Sequence, residues 1–131
     1  MRRRKIREVL FQIIFQMDFQ KKDFEKKAFE FLLDQPLSPV DRDFAETYLR
    51  NLIDHKKKID NEIEKKLKGW TLNRLSKIDL AILRLGTYEI LFEEEIPKNV
   101  SINEAVELAK KYSEEESKKF INGILDAIAQ E

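Results

Sequence analysis

The sequence predicts an all-α fold, and three observations carry that prediction. Apolar residues recur at the 3–4 residue spacing of a helix through most of the chain. Only 3 glycines and 3 prolines interrupt 131 residues, too few for the many tight turns of an all-β protein. A Ser-x-x-Asp/Glu pattern, which marks helix starts, recurs along the chain. The 42% hydrophobic content supplies a core, and the 38% charged content supplies a densely charged surface around it.

The elements follow in order. Ile6, Val9, Leu10, Ile13, Ile14 and Met17 are spaced 3, 1, 3, 1 and 3 apart, which predicts one helix from about Arg3 to about Gln20. A shorter helix runs through Phe24, Ala28, Phe31 and Leu32. Ser38 is placed to cap the next helix, with Pro39 at its first position and Asp41 completing a capping box. That helix carries Phe44, Tyr48, Leu52, Ile59, Ile63 and Leu67 and is expected to run unbroken to Gly69. Ser76 with Asp79, Ser101 with Glu104, and Ser113 with Glu116 then predict starts for helices at roughly 77–93, 102–111 and 114–129. Leu75 and Leu80 can staple the first of these, and a short helical turn is expected at Leu72–Leu75. The segment from Leu80 to Phe92 is apolar almost all round, which predicts the buried centre of a bundle. Lys68-Gly69 is the expected hinge, giving one domain with an N-terminal lobe of about 1–68 and a C-terminal lobe of about 69–131.

Several function classes are disfavoured by composition. Lys plus Arg and Asp plus Glu both number 25, so the formal charge is zero and any nucleic-acid binding must use a local patch. With no cysteine there is no disulfide, thiol nucleophile or cysteine metal site. The single histidine, His55, sits among lysines and reads as a solvated helix residue rather than a metal ligand. The three glycines are isolated, so no phosphate-cradling loop is present. No nucleophile, base and orienting group are brought together by sequence spacing, so no catalysis is expected. Glu8, Gln12 and Gln16 interrupt the apolar run after the basic start, and no small-residue cleavage site follows, which argues against a signal peptide. No apolar stretch approaches the roughly 18 residues of a membrane span. A cytoplasmic protein is the expectation.

Chemistry of another kind is concentrated in three places. Arg2-Arg3-Arg4-Lys5-Ile6-Arg7 holds five cations in six residues, and guanidinium groups grip phosphates in a two-pronged geometry. A solvated basic terminus is the alternative. Cations at a helix N-terminus oppose the helix dipole, which tilts the balance toward a functional reason. On the same helix, Phe11, Phe15 and Phe19 lie roughly opposite the Ile6 face, with Arg4 projecting the same way and Arg7 at its flank. Rings beside arginines suit single-stranded RNA, because bases stack on rings while cations hold phosphates. A helix apolar on two faces inside a bundle would look the same. The third place is Ser117-Lys118-Lys119-Phe120-Ile121-Asn122-Gly123, where a mid-helix glycine suggests close packing or close approach of a partner.

Together these segments resemble the NusB (N-utilisation substance B) antitermination family. The resemblance rests on Arg3-Arg4-Lys5-x-Arg7-Glu8 with Gln12, Trp70-x-Leu72-x-Arg74-Leu75 and Asp79-x-Ala81-Ile82-Leu83-Arg84-Leu85. It continues through Ile96-Pro97-x-x-Val100-Ser101-Ile102-Asn103-Glu104-Ala105-Val106-Glu107-Leu108-Ala109-Lys110 and Lys119-Phe120-Ile121-Asn122-Gly123-Ile124-Leu125-Asp126. It spans nearly the whole chain in order, and region 21–66 matches mainly in pattern. The resemblance implies about seven helices in two packed lobes. It implies binding of boxA, a single-stranded RNA element of ribosomal RNA operon leaders, together with NusE, a small-subunit ribosomal protein. The assembly acts on RNA polymerase to suppress termination, and a homodimer is a further form in the family.

By position, the resemblance assigns RNA binding to Arg3, Arg4, Lys5, Arg7, Phe15, Glu116, Lys119 and Phe120. Phe15 stands where the family often has a stacking Tyr, so stacking survives without the hydroxyl's hydrogen bond. Glu116 would tune affinity by repulsion. Arg84, Tyr88 and Glu89 are the candidates for the protein-partner surface. A related domain occurs fused to ribosomal RNA cytosine methyltransferases. Nothing of that kind follows Glu131, so methyl transfer is not expected. A helical protein-interaction module without direct RNA binding remains the alternative, with a small helical enzyme a distant third. Arg7→Ala and Phe120→Ala are each expected to weaken boxA binding and leave the helical fold intact.

Overall fold

The computed structural model of the chain describes residues 2–17, 19 and 22–131. Among them are seven α-helices, one 3-10 turn and no strand. The helices are α1 (Arg2–Gln16), α2 (Phe24–Leu33), α3 (Pro39–Asp54), α4 (Lys56–Lys65), α5 (Lys77–Phe92), α6 (Lys98–Tyr112) and α7 (Glu115–Ala129), with the 3-10 turn at Leu72–Arg74 between α4 and α5. The first helix stops at Gln16, and Gln20, its expected end, lies outside the described residues.

α5 organises the molecule. Every residue from Leu80 to Ile90 is buried, and α1, α4, α6 and α7 all pack on it. The all-round apolarity of this segment therefore does mark the centre of the bundle. One continuous core joins it to Leu10 and Ile14 of α1, Leu49 and Leu52 of α3, Ile59 and Ile63 of α4, Ala105 and Ala109 of α6, and Ile121 and Leu125 of α7. Gly86 lets α5 and α7 approach closely. A methyl group built at its Cα would lie 2.7 Å from Leu125 Cδ1, so no larger residue fits without displacing that side chain.

Two predicted caps are present: Ser38 Oγ accepts from the Asp41 N–H at 3.1 Å, and Ser76 Oγ accepts from the Asp79 N–H at 3.0 Å. Three expectations need correction. The long third helix is broken at His55, which closes α3 and opens α4 with φ −110° and ψ 17°. The His55 ring reaches back to the Asn51 carbonyl, Nδ1 to O 2.8 Å, and a carbonyl can only accept, so Nδ1 carries the proton. The ring also packs on Phe92 with centroids 4.3 Å apart. The apolar spacing runs in phase through the break, so periodicity could not reveal it. Secondly, α6 starts at Lys98 rather than Ile102, and Ser101 is a buried helical residue, not a cap. Thirdly, Ser113 ends α6 and its hydroxyl donates to Asp79 Oδ1 at 2.6 Å, while Glu114 takes the cap position of α7. In both cases a serine hydroxyl found a carboxylate on another helix, buried Glu89 for Ser101 and half-buried Asp79 for Ser113, a long-range partner that outcompetes a local backbone N–H.

Candidate nucleic-acid interface

Long side chains bridge α1 and α6 along one strip. Arg4 pairs with Glu104, Glu8 with Lys111 and Tyr112, and Phe11 with Tyr112. Residues 4, 8, 11 and 15 are spaced 4, 3 and 4 apart, the helical repeat that keeps side chains on one face, and Phe19, past the end of α1, continues the strip by its ring contact with Phe15. The strip is charged near the N-terminus and aromatic beyond Glu8. From Arg4 to Phe15 it measures about 16 Å at 1.5 Å per residue.

At the charged end each cation has a different environment. The Arg3 guanidinium lies 3.5 Å from the centroid of the Phe44 ring on α3, a cation–π contact. Arg4 donates to both Glu104 oxygens, Nε to Oε1 at 2.9 Å and Nη2 to Oε2 at 2.8 Å. That pairing holds the Glu104 carboxyl below its usual range and the Arg4 guanidinium above its own. Glu8 is likewise held low, by hydrogen bonds from Lys111 and from the Tyr112 hydroxyl, the latter at 2.7 Å. Lys5 is exposed. A cleft of about 330 Å³ runs between Arg4, Glu8, Glu104, Glu107 and Lys111.

Arg7 lines only the floor of this cleft. It is 7% exposed, and its guanidinium donates to Glu89 on α5, Nε to Oε2 at 2.8 Å and Nη2 to Oε1 at 2.9 Å. Tyr48 Oη donates to Glu89 Oε2 at 2.7 Å, and Ser101 Oγ donates to Glu89 Oε1 at 2.8 Å. One buried carboxylate thus gathers donors from α1, α3 and α6. Burial works against the Arg7 charge, and Glu89 outweighs it, leaving the guanidinium above its ordinary value. The Tyr48 hydroxyl is pushed well up by burial and by the adjacent carboxylate. Burying a charge requires such a network, since an unpaired one is prohibitive. The expectation that Arg7 faces a ligand is corrected by its burial: it anchors α1 to the core.

The same reasoning corrects the partner-surface assignment. Arg84, Tyr88 and Glu89 are 4%, 0% and 2% exposed, so none is offered to another protein in this structure. Arg84 binds Asp60 of α4 through Nε and Nη2 at 2.9 and 3.0 Å. The Tyr88 hydroxyl donates to Glu93 at 2.6 Å and stands above its usual range, by burial first and Glu93 second. Polar residues in a sequence look like surface residues. On a central helix their partners are other helices, which no local pattern discloses.

The aromatic end is accessible. Phe11 is buried against Tyr112 with ring centroids 4.9 Å apart, Phe15 is half-buried, and Phe19 is 57% exposed. Phe15 lies 6.4 Å from Phe11 and 5.2 Å from Phe19, so the rings form a graded ladder from core to solvent. Gln12, Gln16, Phe31 and Ile78 complete an open groove of about 420 Å³ around Phe11 and Phe15. Phe31 and Ile78 were not foreseen as its walls, because they arrive from α2 and α5. Next to Ile78, Asp79 accepts from the hydroxyls of Ser113 and Ser117 at 2.6 and 2.9 Å. This ties the first turns of α7 to the aromatic end. Their outer face shows Glu116, Lys119, Phe120 and Gly123, all exposed. Nothing lies within 4 Å of a methyl group built at Gly123, so close packing within the chain does not explain that glycine.

Among the described residues no cluster of three or more His, Asp or Glu is placed to hold a metal ion. No helix among them is long and apolar enough to cross a membrane. The fold and its accessible groups define a class: an all-α binding domain that presents cations and aromatic rings along one helix. The chain belongs to the NusB family, whose sequence profile matches residues 4–130. It is 44% identical to the transcription antitermination protein NusB of Methylacidiphilum infernorum over 130 residues, covering 98% of this chain and 91% of that one. The NusB structure from T. maritima superposes with a TM-score of 0.92 at 44% identity, covering 98% and 91% of the two chains. A structure of the antitermination factors NusB and NusE in complex with double-stranded RNA matches with a TM-score of 0.87 at 26% identity, covering 98% and 96%.

Proposed function

We propose that this protein is a transcription antitermination factor that binds boxA RNA of ribosomal RNA operon leaders together with NusE, and so acts on RNA polymerase in the cytoplasm. The observation that carries the RNA reading is the strip on α1, with cations at one end and a solvent-graded ladder of phenylalanines at the other. Cations hold the phosphates and the rings accept bases, which is the division of labour single-stranded RNA requires. Arg3, Arg4 and Lys5 supply the charge, Phe15 stacks, and Lys119 and Phe120 extend the surface onto α7, with Glu116 limiting affinity by repulsion. Arg7 contributes by fixing α1 rather than by touching RNA. Membership in a family with a solved NusB–NusE–RNA complex supports both partners. The role is binding rather than catalysis.

The test is fluorescence anisotropy of a labelled boxA RNA against a scrambled RNA, with and without purified NusE. Preference for boxA that tightens with NusE is the expected result. No preference in either condition would reduce the function to protein interaction alone.

A further inference from the structure

Arg4, on the exposed part of the strip, already holds an anion in the free protein. Both oxygens of Glu104 meet two nitrogens of its guanidinium at 2.8 and 2.9 Å, the two-point geometry a phosphate would use. The two partners differ in freedom. The Arg4 side chain is 57% exposed and Glu104 only 16%. Glu104 stands on α6 beside Ala105 and Leu108, which are buried in the core, so the carboxylate is the enclosed member of the pair and the guanidinium the one that solvent reaches. Arg7 Nη1 lies 4.0 Å from the same carboxylate, adding to its hold.

We propose that Glu104 is a built-in competitor for RNA phosphate: it occupies Arg4 in the free protein, and an RNA must displace it to use that cation. The inference rests on the RNA-binding reading above. Its consequence is selectivity. An RNA that offers only backbone charge meets a site already neutralised and gains little. An RNA whose bases also stack on the aromatic end gains enough to exchange one anion for the other.

The experiment measures anisotropy of labelled boxA and scrambled RNA, over a salt series, for the wild type, Glu104→Gln, Glu104→Ala, Arg4→Ala and the Arg4→Ala/Glu104→Gln double variant. Asp126→Asn removes one negative charge from an exposed position near the end of α7 and serves as the charge control. Glu104→Gln is expected to tighten binding roughly 2- to 5-fold, the range of one exposed ion pair. Scrambled RNA should gain more than boxA, so discrimination falls. For scrambled RNA the slope of log affinity against log salt should steepen by roughly 0.7, one additional phosphate contact on a single strand. The gain should vanish in the Arg4→Ala background and be absent in Asp126→Asn. Unchanged affinity in Glu104→Gln and Glu104→Ala, or a gain that persists without Arg4, overturns the inference while wild-type binding keeps the RNA reading intact. No RNA binding by the wild type at low salt overturns both. Thermal melts by circular dichroism confirm that each variant is folded at the assay temperature.

Discussion

Replacing Arg7 by alanine separates an anchor from a ligand contact. Arg7 and Glu89 are 7% and 2% exposed and share two hydrogen bonds at 2.8 and 2.9 Å. Removing the guanidinium leaves the carboxylate buried with only the Tyr48 and Ser101 hydroxyls to satisfy it. Breaking one side of a buried ion pair costs about 3–5 kcal/mol. Against a total stability of about 5–15 kcal/mol this is a large fraction. At roughly 3–5 °C per kcal/mol for a domain of this size, the melting temperature should fall by about 10–20 °C. The assay is a thermal and urea melt followed by circular dichroism at 222 nm. Arg7→Met combined with Glu89→Gln should recover most of the loss, because the charge is removed from both sides, the amide oxygen accepts from one hydroxyl and the amide NH2 donates to the oxygen of the other. RNA binding of Arg7→Ala, measured well below its melting point, should then be less affected than its stability. A melting temperature within a few degrees of wild type, with RNA binding lost, would refute this reasoning and return Arg7 to the surface.

Other substitutions give different signatures. Phe120→Ala should weaken boxA binding by about 1–3 kcal/mol, the value of one stacked base, without lowering the melting temperature appreciably; unchanged affinity would remove α7 from the interface. Gly86→Ala should destabilise by about 1–3 kcal/mol because the new methyl group lies 2.7 Å from Leu125 Cδ1, and an unchanged melt would mean that Leu125 yields freely. Gly123→Ala meets open space and should stabilise the helix by up to about 1 kcal/mol; a concurrent drop in RNA affinity would mark this glycine as a point of close approach by the ligand. The carboxyls of Glu8 and Glu104 are held below the ordinary value of 4.5, by Lys111 and by Arg4 respectively. Depressed carboxyls stabilise the fold above that value and lose the contribution as pH falls below it toward their lowered values. Melting temperature should therefore be insensitive to these groups from pH 8 to pH 5 and decline below about pH 4.5, less steeply in a Glu8→Gln/Glu104→Gln variant. Parallel declines in the two proteins would show that the pairs contribute nothing.

Local physics was enough for the helices. The spacing of Ile6 to Met17 marks α1, Ser38 and Ser76 fix two helix starts, and the apolar run from Leu80 to Phe92 identifies the bundle centre, because each is decided within a few turns of chain. The direction of Arg4, Phe11 and Phe15 along one strip was legible for the same reason, and family resemblance supplied the RNA and protein partners. What stayed hidden depends on residues far apart in sequence. Arg7 and Glu89, Arg4 and Glu104, and Asp79 with Ser113 and Ser117 are charged or polar partners on different helices. Periodicity says which face a side chain leaves by, and only the packed bundle says what it meets there. Arg4 and Arg7 are three residues apart in one basic run, yet one reaches solvent beside a carboxylate and the other is sealed onto the core. The sequence by itself determined which segments are helical and where cations and rings are concentrated. The tertiary structure alone decided which of those cations are available, because availability is set by burial and by the counter-charge that another helix brings.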